Sequence, residues 1–154
     1  MKKIEVGNAP CSWGTLEFEG YDVNPIGYTQ MLDELVETGY TATELGDWGF
    51  MPTNPVDLRK EIESRKLTML GAYVQCAFKK AEAHQAGQEE VLKIAKLLAE
   101  SSNNKPYIIL ADDNAGDPIR TQNAGSATRE MGLSAAEWKV FARGVQTMAK
   151  AVMD

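Results

Sequence analysis

The stretch that decides the fold is residues 40–66, which read YTATELGDWGFMPTNPVDLRKEIESRK. Its threonine-rich beginning, Tyr40 to Leu45, predicts a β-strand, and the glycines and prolines behind it predict a loop. Asn54 followed by Pro55 is the pattern of a helix N-cap with proline at the first helical position, and apolar residues at helical spacing follow. The stretch therefore predicts one strand–loop–helix unit.

The same order of elements is predicted on both sides of this unit. The predicted strands are residues 3–10, 40–45, 67–76 and 107–111, and the predicted helices are residues 28–38, 55–66, 89–101 and 134–152. Ser134 and Glu137 form a capping box at the start of the last helix. The apolar stripe of that helix is expected to be buried and consists of Trp138, Phe141, Val145, Met148 and Val152. Strict alternation of strands and helices predicts an α/β fold, with helices packed on a parallel sheet.

Two architectures fit four alternating units. A doubly wound open sheet would be complete within 154 residues, with a ligand site where the strand order reverses. The other architecture is a half-barrel, the first four units of an eight-fold β/α (TIM) barrel, which typically needs about 250 residues. No glycine-rich phosphate-binding motif follows a predicted strand, so the common nucleotide-binding form of the open sheet lacks its signature.

Composition and charge exclude several classes of protein. Hydrophobic residues are 44% of the chain and charged residues 25%, as in ordinary globular domains. The sequence contains no run of about 18 apolar residues, so it predicts no membrane span. The formal net charge of −6 disfavours nucleic acid as a partner, because binding to phosphates needs clustered positive charge. The basic pair Lys79–Lys80 and the only histidine, His84, are expected on the solvated surface. We expect a cytoplasmic protein without nucleic-acid or membrane partners.

The candidate ligand contacts lie where the predicted strands end, since ligands bind beyond the carboxyl ends of parallel strands in both architectures. They are Asn8, Trp13, Glu44, Trp48, Gln75, Asp112 and Asp113. The two-residue period of a strand directs Glu44 and Leu45 to opposite faces, so Glu44 points toward the ligand if Leu45 packs under the helices. A structural salt bridge is the alternative for Glu44.

Other candidates also have structural alternatives. Asp112 and Asp113 are adjacent and are expected to point to opposite faces, with one of them at the site. Asp113 could instead form a turn, and Trp13 and Trp48 could serve plain loop packing. The polar segment 112–133 is longer than a connection between a strand and a helix needs to be. This length predicts a functional loop.

Four motifs resemble one known family. They are residues 8–14 (NAPCSWG), 43–55 (TELGDWGFMPTNP), 109–113 (ILADD) and 132–134 (GLS). In this order they resemble the inosose dehydratase branch of the xylose isomerase-like sugar isomerase and epimerase family. The resemblance implies that residues 1–154 belong to a single β/α-barrel domain, which is truncated before strand five. The chain would then be the amino-terminal half of the barrel.

The resemblance also implies an activity. Members of the family remove a proton beside a ketone of a polyol or keto-sugar with the help of a divalent metal, Mn²⁺ or Co²⁺. The dehydratases eliminate water from an inosose in inositol catabolism. The family's metal-binding Glu, Asp, His and Glu lie on strands five to eight, so no metal ligand and no catalytic residue is assigned here. Trp13, Glu44 and Asp112 match substrate-side positions and are expected to contact the ligand.

The expected function is therefore the substrate-binding half of a metal-assisted sugar or polyol isomerase, epimerase or inosose dehydratase, a lyase. The chain by itself is expected to be inactive. The alternative is a non-catalytic polyol-binding or assembly module in which two half-barrels form a closed dimer. A half-barrel leaves two sheet edges and an apolar face uncovered. This predicts a homo-oligomer or association with a second half. The third alternative is a complete flavodoxin-like open sheet with an unknown ligand.

Overall fold

The computed structural model describes residues 4–14, 26–113 and 116–153. Its strands form a single parallel sheet. The strands of the described residues are β1 (Gly7–Asn8), β2 (Ala42–Glu44), β3 (Thr68–Cys76) and β4 (Tyr107–Asp112). They lie in the order β1-β2-β3-β4, and all run parallel. The predicted α/β class with a parallel sheet is therefore confirmed.

The longer helices follow the strands one by one along the chain. They are α1 (Tyr28–Glu37), α2 (Pro55–Ser64), α3 (His84–Ser101) and α5 (Ala135–Ala151), with a short helix α4 (Pro118–Gln122) between β4 and α5. Turns of 3₁₀-helix cover Pro10–Trp13, Ala81–Ala83 and Arg129–Met131. Among the described residues, none of the helices combines the length and the apolar character needed to cross a bilayer.

Several element boundaries differ from the predicted ones. Strand β1 is limited to Gly7–Asn8 within the described residues. Helix α3 begins at His84, ahead of the predicted start at Glu89, because the prediction used the apolar stripe of the helix, which residues 84–88 do not carry. The predicted loop 112–133 contains α4 and one of the 3₁₀ turns.

The order of the strands is sequential in the described part of the chain. A flavodoxin-like sheet has the order 2-1-3-4-5, with a reversal after its first crossover. No such reversal occurs among β1, β2, β3 and β4. The flavodoxin-like alternative is therefore not supported by the sheet.

The chain divides into two compact units, and the first contains the residues before Val74 together with Ile94–Ile109. The apolar faces of its helices and strands are buried, as at Met31, Leu32, Leu35, Leu58, Met69 and Leu98. The predicted N-cap of α2 is present, since the side chain of Asn54 accepts from the backbone N–H groups of Val56 and Asp57. Arg65, just after α2, binds Asp33 of α1 and Glu61 of α2, each at 2.6 Å.

The second unit contains Val74–Lys93 and the chain from Leu110 onward. Its core includes the fully buried Val91, Phe78 and Met148. Phe78 packs against Phe141 of α5 with the ring centroids 5.1 Å apart. The prediction that Trp138 is buried is wrong, because it is 55% exposed. Its ring packs against Phe141 in an edge-type arrangement with the centroids 5.4 Å apart.

The capping box of α5 is formed as predicted. The Ser134 hydroxyl accepts from the Glu137 backbone N–H at 3.3 Å, and the Glu137 carboxylate accepts from the Ser134 backbone N–H at 2.7 Å. We expect Ser134→Ala to lower the free energy of unfolding by about 1 kcal/mol, because α5 loses an N-cap hydrogen bond. Urea denaturation measures this change. Ser126→Ala, at an exposed position of the same unit, is the control, and equal loss in both variants would refute a capping effect.

Candidate functional site

Asn8 and Trp13, at the end of β1, both have partners inside the first unit. The Asn8 Oδ1 accepts from the Ala9 backbone N–H at 2.9 Å and from the Ser12 hydroxyl at 2.7 Å. The indole N–H of the half-buried Trp13 donates to Glu34 of α1 at 2.8 Å. These bonds hold the turn after β1 in place and orient the Trp13 ring.

Glu44 is the last residue of β2 and lies at an irregularity of the sheet. Thr43 is paired with Met69, but Glu44 is paired with Gly71, so β3 has one extra residue at this step. Thr43 and Leu45 are buried, whereas Glu44 is half-buried. Its carboxylate has no hydrogen-bond or ion-pair partner recorded within the described residues. The alternative of a structural salt bridge is thus not seen among these residues, and the role of Glu44 as a ligand contact stays a prediction.

Trp48 and Gln75 are exposed side chains in the described structure. Trp48 lies in the loop after β2 and is 40% exposed. Gln75 is the exposed residue near the end of β3. Their roles as ligand contacts stay predictions.

Asp112, the last residue of β4, contacts the loop after β3 and helix α4, both in the second unit. Its Oδ1 accepts from the Phe78 backbone N–H at 3.2 Å, and its Oδ2 lies 3.9 Å from the Arg120 guanidinium. Asp112 and Asp113 line the same small cavity of about 10 Å³, roughly the room that one water needs. Because β4 ends at Asp112, strand alternation does not extend to Asp113, and which of the two carboxylates faces a ligand stays a prediction.

Lys79 joins the loop after β3 to α4. Its ammonium lies 3.2 Å from the Asp117 Oδ2, and its side chain is 24% exposed. Asp117 is also the N-cap of α4, since its Oδ1 accepts from the backbone N–H groups of Ile119 and Arg120 at 3.1 and 3.2 Å. The expectation of a solvated basic pair is right for the exposed Lys80 and wrong for Lys79.

The contacts of Asp117 predict its acid titration. The pKa of Asp117 is lowered, first by the Arg120 backbone N–H and next by the hydrogen bond from Lys79. Because the folded pKa lies below the unfolded one, the stability that these contacts supply is complete above the unfolded value and is lost as the pH falls through the folded pKa. We expect the Asp117 carboxyl carbon to titrate by NMR with a midpoint below 3.8.

Removing the Lys79 ammonium isolates its share of this effect. We expect Lys79→Met to raise the Asp117 midpoint only part of the way, since the backbone donors remain. Lys80→Met is the matched control and should leave the midpoint unchanged. A wild-type midpoint at or above 3.8 would contradict the described contacts.

His84 stabilises the same loop from the start of α3. Its Nε2 lies 2.8 Å from the Phe78 carbonyl oxygen, and its ring fills the space beside Gly144 of α5. His84 is therefore half-buried, and the expectation of an exposed histidine is wrong. Its partner is a backbone carbonyl, which the amino-acid pattern does not reveal.

Two larger depressions lie in separate units. A cleft of about 310 Å³ in the second unit is lined by Lys79, Asp117, Arg120, Glu130 and Glu137, with apolar residues between them. A groove of about 300 Å³ in the first unit is lined by residues such as Thr68 and Asn104. The groove lies by the amino end of β3, where parallel sheets do not bind their ligands, so the cleft is the better candidate.

The described residues do not fit the divalent metal that the resemblance implies. No group of three or more His, Cys, Asp or Glu side chains among them is placed to hold a metal ion.

Comparison with known proteins leaves the family open. No protein-family model matches the chain, and no curated protein is significantly similar to it in sequence. The resemblance to the xylose isomerase-like family thus rests on the sequence motifs.

Proposed function

We propose that the chain is the substrate-binding half of a β/α barrel of the xylose isomerase-like sugar isomerase and epimerase family, in its inosose dehydratase branch. The observation that carries the proposal is the sequential order of four parallel strands, with acidic residues at the ends of β2 and β4. In this proposal the substrate is a polyol or keto-sugar, and the reaction begins with removal of a proton beside its ketone. The protein acts in the cytoplasm.

The strand order supports a barrel. In a β/α barrel each strand pairs with the strand before it in the chain, and a helix covers each connection. β1 to β4 follow this rule within the described residues. A doubly wound sheet needs a reversal of strand order to create its ligand site, and the described strands lack one.

The acidic strand ends support binding of a polyol. Glu44 offers a half-buried carboxylate, which can accept hydrogen bonds from two hydroxyl groups. Trp13, oriented by Glu34, offers an aromatic surface to the C–H side of a sugar-like ring. These groups bind and orient a substrate. The family's divalent metal, Mn²⁺ or Co²⁺, would be bound by residues outside the described part of the chain.

A titration with a neutral polyol tests this function. We expect myo-inositol, added to the ¹⁵N-labelled chain, to shift the backbone amide signals of Asn8 and Glu44. A keto-inositol should shift the same signals. The proposal is contradicted if neither compound shifts these amides at millimolar concentration. Glucitol, an open-chain polyol, tests whether the ring is needed.

An assembly module is the second candidate function. Tyr107 and Ile109 of β4 are 76% and 39% exposed, and Val6 before β1 is 54% exposed. Exposed apolar groups on edge strands favour association with another sheet. In this second candidate two copies of the chain cover these residues.

Sedimentation velocity distinguishes the assembly candidate from a monomer. We expect a dimer that Tyr107→Glu converts to a monomer. Val56→Glu is the matched control, since Val56 is 73% exposed but lies on α2. A folded wild-type monomer at high micromolar concentration would argue against the assembly module.

A further inference from the structure

The cleft of the second unit has the size of a small-molecule site. Its volume of about 310 Å³ lies at the lower end of the usual range, roughly 300–1,000 Å³. The loop after β3, helix α4 and the first turn of α5 form its walls. It therefore lies beyond the carboxyl ends of β3 and β4, where α/β folds bind ligands.

The cleft combines strong donors with strong acceptors. The Lys79 ammonium has three N–H donors, and Asp117 is its only partner recorded in the described part of the chain. Glu137, in the first turn of α5, offers a further carboxylate. Its pKa is lowered first by the backbone N–H and hydroxyl of Ser134 and also by the charge of Lys79. A hydroxyl group can accept from such an ammonium and donate to such a carboxylate at the same time.

The charges of the cleft disfavour an anion. Lys79 and Arg120 face three carboxylates, those of Asp117, Glu130 and Glu137. Arg120 is also paired at 3.9 Å with Asp112. An added phosphate would meet a net negative lining, because carboxylates outnumber cations.

The remaining wall of the cleft is apolar. Ile119, Met131 and Leu133 line it between the charged groups. Polyol rings present C–H groups as well as hydroxyls, and such mixed linings suit them. The cleft thus offers complementary groups for both parts of a polyol ring.

We propose that this cleft is a binding site for a small, neutral, polyhydroxylated ring, with Lys79 donating to a ligand oxygen and the Asp117 and Glu137 carboxylates accepting from ligand hydroxyls. The assignment rests on the proposed function for its substrate class and adds the residues and the neutral charge. The carboxylates of Asp117, Glu130 and Glu137, which outnumber the two cations of the cleft, make the site selective for hydroxyl oxygen over phosphate.

The test uses the whole chain with myo-inositol and myo-inositol monophosphate as probes. Binding of myo-inositol should shift the amide signals of Ile119 and Gly132. The monophosphate should bind at least about tenfold more weakly, which corresponds to one unfavourable charge contact. Equal or tighter binding of the monophosphate at these amides would overturn the proposal.

Variants of Lys79 test its role directly. Lys79→Met should weaken myo-inositol binding at least about tenfold, since a hydrogen bond from a charged donor is lost. Lys80→Met, the exposed neighbour, should bind like the wild type. Lys79→Arg keeps a cationic donor and should restore most of the affinity. Unchanged affinity in folded Lys79→Met would overturn the proposal, and if that variant does not fold, the wild-type signals decide.

The pattern of shifted signals separates this site from the proposed function. Shifts at Ile119 and Gly132 support the cleft. Shifts confined to Asn8 and Glu44 overturn the cleft and leave the proposed function intact. Shifts confined to the cleft support the cleft and contradict the proposed function as located at Asn8 and Glu44. Absence of shifts at all four residues overturns both.

Discussion

Glu44→Gln is expected to weaken polyol binding by roughly 10- to 100-fold. The Glu44 carboxylate is half-buried at the end of β2 and has no recorded partner within the described residues. Glutamine keeps the shape but loses the charge, and a hydrogen bond to a charged acceptor contributes about 1.5–3 kcal/mol, equivalent to roughly that loss of affinity. Isothermal titration calorimetry with myo-inositol measures the change.

Glu37→Gln is the matched control for this prediction. Glu37 is an exposed glutamate of α1, so the same chemical change there should leave the affinity as in the wild type. The thermal midpoints of both variants show whether the fold is retained. Equal affinities of folded Glu44→Gln and wild type would remove Glu44 from the site, and equal losses in both variants would point to net charge.

Gly71→Ala is expected to destabilise the first unit by about 3 kcal/mol, at the upper end of the usual cost of overpacking. Gly71 lies in β3 beside Tyr107 of β4, and an added Cβ would overlap the carbonyl oxygen of Tyr107. Since that oxygen belongs to the backbone, no side-chain rotation relieves the overlap. Strands β3 and β4 must therefore move apart at Gly71. On its other side, Gly71 accepts a hydrogen bond from the Leu45 backbone N–H.

Urea denaturation of Gly71→Ala measures this loss. Gly27→Ala is the control, because an added Cβ at Gly27 meets no atom within 4 Å. Both substitutions restrict the unfolded chain in the same way, so their difference reports the overlap at β4. A stability of Gly71→Ala equal to that of Gly27→Ala would show that β3 and β4 are not as close as described.

Some residues of the candidate site can be predicted from the amino-acid sequence, because the sequence shows where the strands end. Glu44 and Asp112 are the last residues of β2 and β4, and both were expected at the ends of predicted strands. The same rule applied to basic residues would have drawn attention to Lys79, which lies just behind β3. The pair Lys79–Asp117 could not be predicted, since its partners lie on separate loops. The pair His84–Phe78 could not be predicted, since the partner of His84 is a backbone carbonyl.

The amino-acid sequence by itself determined the alternation of strands and helices, the parallel sheet and the caps at Asn54 and Ser134. These features depend on local spacing of apolar residues and on hydrogen bonds within one or two turns. The tertiary structure decided the sequential strand order, the shift of register at Glu44 and the cleft around Lys79. These features depend on contacts between residues far apart in the chain, and local sequence patterns do not predict such contacts.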